Sequence, residues 1–380
     1  MKKIDKILIY YSIFNLGGAE RSTSKLITKL LDEGYDVELL LITNGGKFQN
    51  QIDSRAKVSW LRSGDFGSSY KQEKGLQKLL YLILYLLTRI ESFIKSFKYK
   101  FKSYKSVIIG LHGLSPNYCL KNIKADSYIQ FIRNDLKNCD QDNKARDLIK
   151  KYGHKVDFYV CVSQTALDSF GFFFPELKQK GKKIYNFLEA DIIQEKSIQF
   201  INEKAWSSEY FNILTVCRLQ DKSKGIYRMA NVLIELLKKG HKVRWYIIGD
   251  GIDYNSFKNY IFDNNLAEHM ILLGSKSNPY PYFKMANLIA VLSYFEGLCG
   301  VVNEAKILEC PIIATEFSGI REQITNDVNG LVVQNNFESI IKGIEYLIEN
   351  PEYLSNIAVN EMPEAITNDE YKTKKLTSLF

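Results

Sequence analysis

Cysteine and proline are scarce in this chain: 380 residues carry 6 Cys and 7 Pro, beside 23 Gly. The cysteines (Cys119, Cys139, Cys161, Cys217, Cys299 and Cys310) stand far apart, with no CxxC pair. Metal sites and disulfide frameworks need clustered spacing, so the thiols read as reduced and inert, as in a cytosolic protein. So little proline and glycine excludes collagen and low-complexity chains, and 46% apolar content is that of a globular protein. Long hydrophobic runs are missing too. The longest, residues 79–87, falls well short of the roughly 20 residues that cross a bilayer. The N-terminus mimics a signal peptide, but Asp5 interrupts it and no cleavage site follows, so residues 7–12 read as a first buried strand. Neither GxGxxG nor GxxxxGK[ST] occurs, which disfavours dinucleotide binding and a P-loop.

Charge is also scarce outside one segment. Residues 71–105 hold eight Lys and Arg89 against Glu73 and Glu91, which is +7 of the chain's +8. The nearly neutral remainder argues against a nucleic-acid binder. Within the segment, Leu76, Leu79, Leu80, Ile83, Leu86, Leu87, Ile90, Phe93, Ile94 and Phe97 recur at helical spacing, with Lys78, Arg89, Ser92, Lys95 and Ser96 on much of the other side. Two placements fit this pattern. The concentrated lysines favour a helix lying in a membrane interface, with Lys95, Lys98, Lys100 and Lys102 facing anionic lipid. The other placement is a helix packed on the N-terminal domain with a solvated lysine tail.

The rest reads as strand–helix alternation. Apolar runs at 7–12, 37–43, 107–111, 128–132 and 158–163 predict buried parallel strands, with a first helix through Leu26, Ile27, Leu30 and Leu31 and Gly34 as its C-cap. The pattern loosens after Asn186, which suits a crossing between domains. It then restarts with strands at 212–217, 243–249, 271–273, 288–293 and 311–315. The expected organisation is two doubly wound α/β domains facing across a cleft: residues 1–190, residues 191–365, and a tail, 366–380, as a helix returning to the first domain. In such sheets ligands bind beyond the carboxyl ends of the strands.

Three segments carry chemistry. Glu296 and Glu304 bracket Gly297, Leu298, Cys299 and Gly300 where a strand passes into a helix, and backbone N–H groups there suit phosphate oxygens. Arg218 follows the strand at 212–217, with Lys222, Lys224 and Gly225 just beyond, and fixed cations at such a place suit a diphosphate. Gly17-Gly18-Ala19-Glu20-Arg21 links the first strand to its helix, where paired glycines allow close backbone approach. Each alone is equally a solvated helix start, a pair of surface cations or a tight turn. Asp140-Gln141-Asp142 has the spacing of a metal-binding Asp-x-Asp but lies in a polar stretch and reads as a solvated turn.

Together these segments resemble the retaining glycosyltransferases of the GT-B fold, glycosyltransferase family 4 (group 1). Ile248-Gly249-Asp250-Gly251, the stretch Asn278 to Tyr282, Pro311 to Thr315 and Gly330 to Val333 extend the likeness over nearly the whole chain. The resemblance implies transfer of a sugar from a nucleoside diphosphate to an acceptor hydroxyl, a lipid-linked or growing glycan of a bacterial surface polysaccharide such as capsule or lipopolysaccharide. It implies that Glu296 and His112 lie by the transferred sugar and that Glu304 holds the ribose. Arg218 and Lys224 would grip the diphosphate, Gly297, Leu298 and Cys299 would line the donor, and Gly17 and Gly18 would approach it from the opposite domain. The Arg218–Lys224 loop is one residue longer than usual, so Lys222 is an alternative to Lys224. Cys299 and Asn303 replace commoner Pro and apolar residues, and no nucleophile is expected at Cys299. No cofactor or metal is expected, since the two cations supply the charge. The expected setting is the cytoplasm, at the inner face of the plasma membrane.

Two rivals remain. A non-catalytic sugar-binding protein predicts an export signal and no diphosphate-binding cations. A related phosphorylase or nucleotide-sugar epimerase is the other, and the glycogen type of phosphorylase needs a pyridoxal phosphate lysine, for which no pattern appears.

Overall fold

The computed structural model describes residues 4–15, 17–46, 49, 52–66, 74–137, 142–201, 206–358 and 362–380. The chain forms two units: Met1–Phe187 with Asn368–Phe380, and Leu188–Thr367. In the first, the described strands are β1 (Lys6–Tyr11), β2 (Asp36–Thr43), β3 (Lys57–Arg62), β4 (Ser103–Ile109), β5 (Lys124–Ile132), β6 (Phe158–Cys161) and β7 (Gly181–Lys183). They pair in parallel, in the order β3-β2-β1-β4-β5-β6-β7. Ile7, Leu8, Ile9, Tyr10 and Tyr11 are all buried, as a central parallel strand covered on both faces requires. The second unit holds β8 (Phe211–Val216), β9 (Val243–Ile248), β10 (Met270–Gly274), β11 (Leu288–Val291), β12 (Ile312–Thr315) and β13 (Leu331–Val333), also parallel, in the order β10-β9-β8-β11-β12-β13. Each sheet reverses its winding once, between β1 and β4 and between β8 and β11, and the carboxyl ends at such switch points are where doubly wound sheets bind ligands.

The unit boundaries fall at 187/188 and 367/368, against the 190/191 and 365/366 read from the sequence. The last helix, Asp369–Thr377, packs on the helix Gly18–Asp32 of the first unit; Lys372 Nζ donates to the Asn186 carbonyl at 2.9 Å, and Phe380 meets the Tyr35 ring. The stretch expected to be a loose crossing instead contains the helix Ala190–Ser197, packed within the second unit on the helices Tyr280–Met285 and Gly300–Ile307. Asn278 Nδ2 fastens its end by donating to the Lys196 carbonyl at 2.9 Å. Asp140 and Gln141, with Cys139, lie outside the described residues.

One buried carboxylate ties the first sheet together. Glu38, on β2, accepts from Ser59 Oγ, Tyr99 OH, Tyr104 OH and Lys102 Nζ, each at 2.9 Å. Burial alone would raise its pKa, but these donors outweigh burial and hold it below the usual carboxylate value. Its stabilising contribution is therefore complete above the unfolded value, about 4.3, and is lost as pH falls through the lower folded one. Glu38→Gln should cost about 1–3 kcal/mol and flatten the acid limb of stability; thermal unfolding from neutral to acid pH measures both, and an unchanged midpoint refutes the role.

Candidate functional site

Lys224 and Glu296 meet at the switch point of the second sheet, where β8 and β11 end. Lys224 closes the short helix Asp221–Lys224, and its ammonium pairs with Glu296 Oε1. Ser293 Oγ donates to the same oxygen at 2.8 Å, while Oε2 has no partner among the described residues. Burial works against the Lys224 charge, yet the Glu296 carboxylate prevails and holds the ammonium pKa above its usual value. Lys222, the alternative, is exposed. Arg218 is exposed in the loop after β8, and no described residue pairs with its guanidinium. Lys224 is thus already neutralised within the protein, whereas Arg218 is not.

Glycines shape this loop. A Cβ on Gly249 would stand 1.8 Å from the Cys217 carbonyl oxygen, and one on Gly251 would stand 2.1 Å from that of Leu219. Only glycine lets the end of β9 pass so close to the backbone bearing Arg218.

Glu304 lies inside the helix Gly300–Ile307 and is buried; Tyr280 OH donates to its Oε1 at 3.4 Å. The loop Gly297, Leu298, Cys299 leads into that helix, but its N–H groups are not all available. Cys299 N–H donates to Gln323 Oε1 at 3.0 Å, and Gln323 Nε2 returns to the Cys299 carbonyl at 2.8 Å and to Asn303 Oδ1 at 2.6 Å. Of the N–H groups from Gly297 to Gly300, that of Cys299 is thus engaged within the chain. Burial pushes the Cys299 and Cys217 thiols up to about 12, so neither is a nucleophile at neutral pH.

Four residues that the motifs did not reveal hold the site: Ser293, Gln323, Arg228 and Asn335. Arg228 lies over the Tyr294 ring at 4.1 Å and donates to the Leu292 carbonyl and to Asn335 Oδ1. Asn335 Nδ2 reaches the Ser293 and Tyr294 carbonyls, each at 3.2 Å. This clamp fixes the turn from β11 into Glu296. Each partner lies 40 or more residues from the turn or from Arg228, so only the fold brings them together.

His112 sits in the first unit, on the loop after β4, the strand beside the switch. Its Nδ1 accepts from the Arg133 N–H at 3.2 Å, so the neutral ring carries its proton on Nε2. Gln130 Nε2 holds the loop through the Leu111 and Leu114 carbonyls, at 3.0 and 2.9 Å. The buried Arg133 guanidinium donates to the Gly110 carbonyl, Asn186 Oδ1 and Thr23 Oγ1, tying β5 to the start of the helix Gly18–Asp32. Gly17 caps that helix in an extended conformation (φ −161°, ψ 166°), and a Cβ at Gly18 would meet no protein atom within 4 Å. Backbone geometry does not demand glycine at Gly17, and packing against the described residues does not demand it at Gly18.

Residues 197–362 match the family model described as glycosyl transferases group 1. The chain is 30% identical over 174 residues to the N-acetylgalactosamine-N,N'-diacetylbacillosaminyl-diphospho-undecaprenol 4-alpha-N-acetylgalactosaminyltransferase of Campylobacter jejuni, covering 45% of each chain. It is 28% identical over 142 residues to the capsular polysaccharide biosynthesis glycosyltransferase CapM of Staphylococcus aureus, covering 37% of each. It therefore spans less than half the length of these relatives. Across the whole chain, the crystal structure of HepE from Anabaena in complex with UDP and glucose superposes with a TM-score of 0.73 at 18% identity, covering 98% of both chains. The chain has the α/β GT-B fold: two Rossmann-like, parallel-sheet units.

Proposed function

We propose that the protein is a retaining glycosyltransferase of the family 4 type, moving a sugar from a nucleoside diphosphate to an acceptor hydroxyl. The observation that carries this reading is the Lys224–Glu296 pair at the second switch point, with Arg218 exposed on the loop after β8. Two cations suit a leaving diphosphate, and Glu296, held at Oε1 by Ser293 and Lys224, keeps Oε2 for the sugar. The bond from the anomeric carbon to the phosphate oxygen breaks, and negative charge gathers on the diphosphate beside Arg218 and Lys224. The acceptor oxygen attacks from the same face, and its proton passes to a donor phosphate oxygen, so no protein nucleophile is needed. Glu304 holds the ribose, His112 donates Nε2–H to the transferred sugar, and Gly297 and Leu298 line the donor. Arg218 and Lys224 supply the charge that a metal provides elsewhere, so we propose metal independence. The acceptor is a lipid-linked or growing glycan in bacterial surface polysaccharide synthesis, at the cytoplasmic face of the membrane; the match to an enzyme named for a diphospho-undecaprenol substrate supports this.

Gly17 and Gly18 leave room for the donor. Gly18→Ala should fold as well as the parent, since alanine is the better helix former, while raising the KM for the donor about tenfold. Steady-state kinetics beside thermal unfolding reads both, and an unchanged KM removes the glycines from the site. The reading as a whole is tested with a panel of nucleotide sugars assayed for nucleoside diphosphate release, with and without chelator. Release from at least one donor in chelator is expected; failure of every donor to turn over or bind defeats it.

A further inference from the structure

The helix Gly75–Phe97 leaves an apolar row in the open. Its inward side, where it packs on β3, joins half-buried Tyr81, Leu82, Leu84 and Tyr85 to Thr88, Glu91 and Lys95. Ser63 donates to Glu91 Oε2 from its N–H at 2.8 Å and its Oγ at 2.9 Å, and Lys95 pairs with Glu91 Oε1 at 2.7 Å while lying over the Trp60 ring. Its apolar side faces outward: Leu76, Leu79, Leu80, Ile83, Leu86, Leu87, Ile90, Phe93, Ile94 and Phe97 are 47–86% exposed, and Phe101 just beyond is 77% exposed. A continuous apolar row about 35 Å long is far more than a soluble monomer ordinarily leaves in water.

We infer that this row is a membrane-docking surface whose occupant is an anionic phospholipid bilayer, with the helix lying in the plane of the interface. No helix among the described residues is long and apolar enough to cross a membrane. Charge selects the occupant. The row is flanked by the exposed cations Lys74, Lys78, Arg89, Lys98 and Lys100, and the one acid of the helix, Glu91, is held inward by Ser63 and Lys95. A second copy would bring like charges together in either orientation: antiparallel pairing sets Lys98 and Lys100 against Lys74 and Lys78, and parallel pairing sets each against itself. Anionic headgroups meet the same cations favourably, at about 1 kcal/mol for each basic residue near the surface.

The structure also redistributes the roles of the basic residues. Lys95 and Lys102 are committed to Glu91 and Glu38, so Lys98 and Lys100, with Arg89, face the headgroups, and the apolar row supplies the insertion. Lys102, Tyr99 and Tyr104 clasp Glu38 just beyond the helix and fasten it to the sheet. The inference does not rest on the transfer reaction, since vesicles without donor read it alone. The full chain is sedimented with phosphatidylcholine vesicles with and without phosphatidylglycerol. Binding to the anionic vesicles is expected. Ile83→Ser with Ile90→Ser and Ile94→Ser should lower it by about tenfold or more; Lys98→Gln with Lys100→Gln should lower it about tenfold on anionic vesicles only. Hydrogen exchange on the unaltered protein should slow over residues 76–97 when vesicles are added. A protein left in the supernatant, or exchange unaltered by vesicles, overturns the inference; so does light scattering that finds a dimer which the serine changes convert to monomer.

Discussion

Glu296→Gln is expected to lower the kcat of sugar transfer by about 10²–10³-fold while leaving nucleoside diphosphate binding as tight as before, or tighter. In the free protein the Lys224 ammonium is spent on Glu296, which holds its pKa up. A diphosphate must compete with that carboxylate for the ammonium. The amide keeps the shape and the Ser293 hydrogen bond but surrenders the charge, so Lys224 turns wholly to the ligand. Lost with the charge is stabilisation of the positive character that grows on the sugar as its bond to phosphate breaks. A fall in kcat with KM unchanged or lower is the signature of a group acting mainly in the transition state. A rise in KM with kcat preserved would make Glu296 a simple binding residue.

Arg218→Ala should behave in the opposite way. Its guanidinium is exposed and unpaired among the described residues, so folding stability should change by less than about 0.5 kcal/mol. As the uncompensated cation at the end of β8, it should bind the diphosphate and steady it as it leaves, and its loss should lower kcat/KM by about 10²–10³-fold. Glu296→Gln is therefore a kcat lesion with a local cost to stability, since it leaves Lys224 without its partner, whereas Arg218→Ala is a kcat/KM lesion with almost none. Kinetics and thermal unfolding of the two variants side by side separate the roles; matching profiles would remove the distinction.

Much of the fold was legible because buried parallel strands are continuous apolar runs. Ile7 to Tyr11, Val243 to Ile248 and Ile312 to Thr315 stand out from their polar surroundings. The edge strands of the first sheet were not: β3 reads Lys-Val-Ser-Trp-Leu-Arg and β7 is Gly-Lys-Lys, too polar or too short to carry a pattern. The amphipathic helix was visible, but periodicity reports that two sides differ and not which one docks. The side that packs is mixed: Tyr81, Leu82, Leu84 and Tyr85 are half-buried along its first half, and Ser63 on the body offers hydrogen bonds to Glu91 along its second. At the site, Arg218, Lys224, Glu296 and Glu304 could be found because they flank strand ends at short spacing. Gln323, Arg228 and Asn335 could not, since each reaches its partners across a long stretch of chain and no local spacing marks them.

Calorimetric titration of nucleoside diphosphates into the unaltered protein, Arg218→Ala and Glu296→Gln tests the central claim most directly. The account predicts saturable binding of one nucleoside diphosphate to the unaltered protein without added metal, at least about tenfold weaker binding to Arg218→Ala, and undiminished binding to Glu296→Gln. Equal affinity in all three, or no binding of any nucleoside diphosphate, would contradict it.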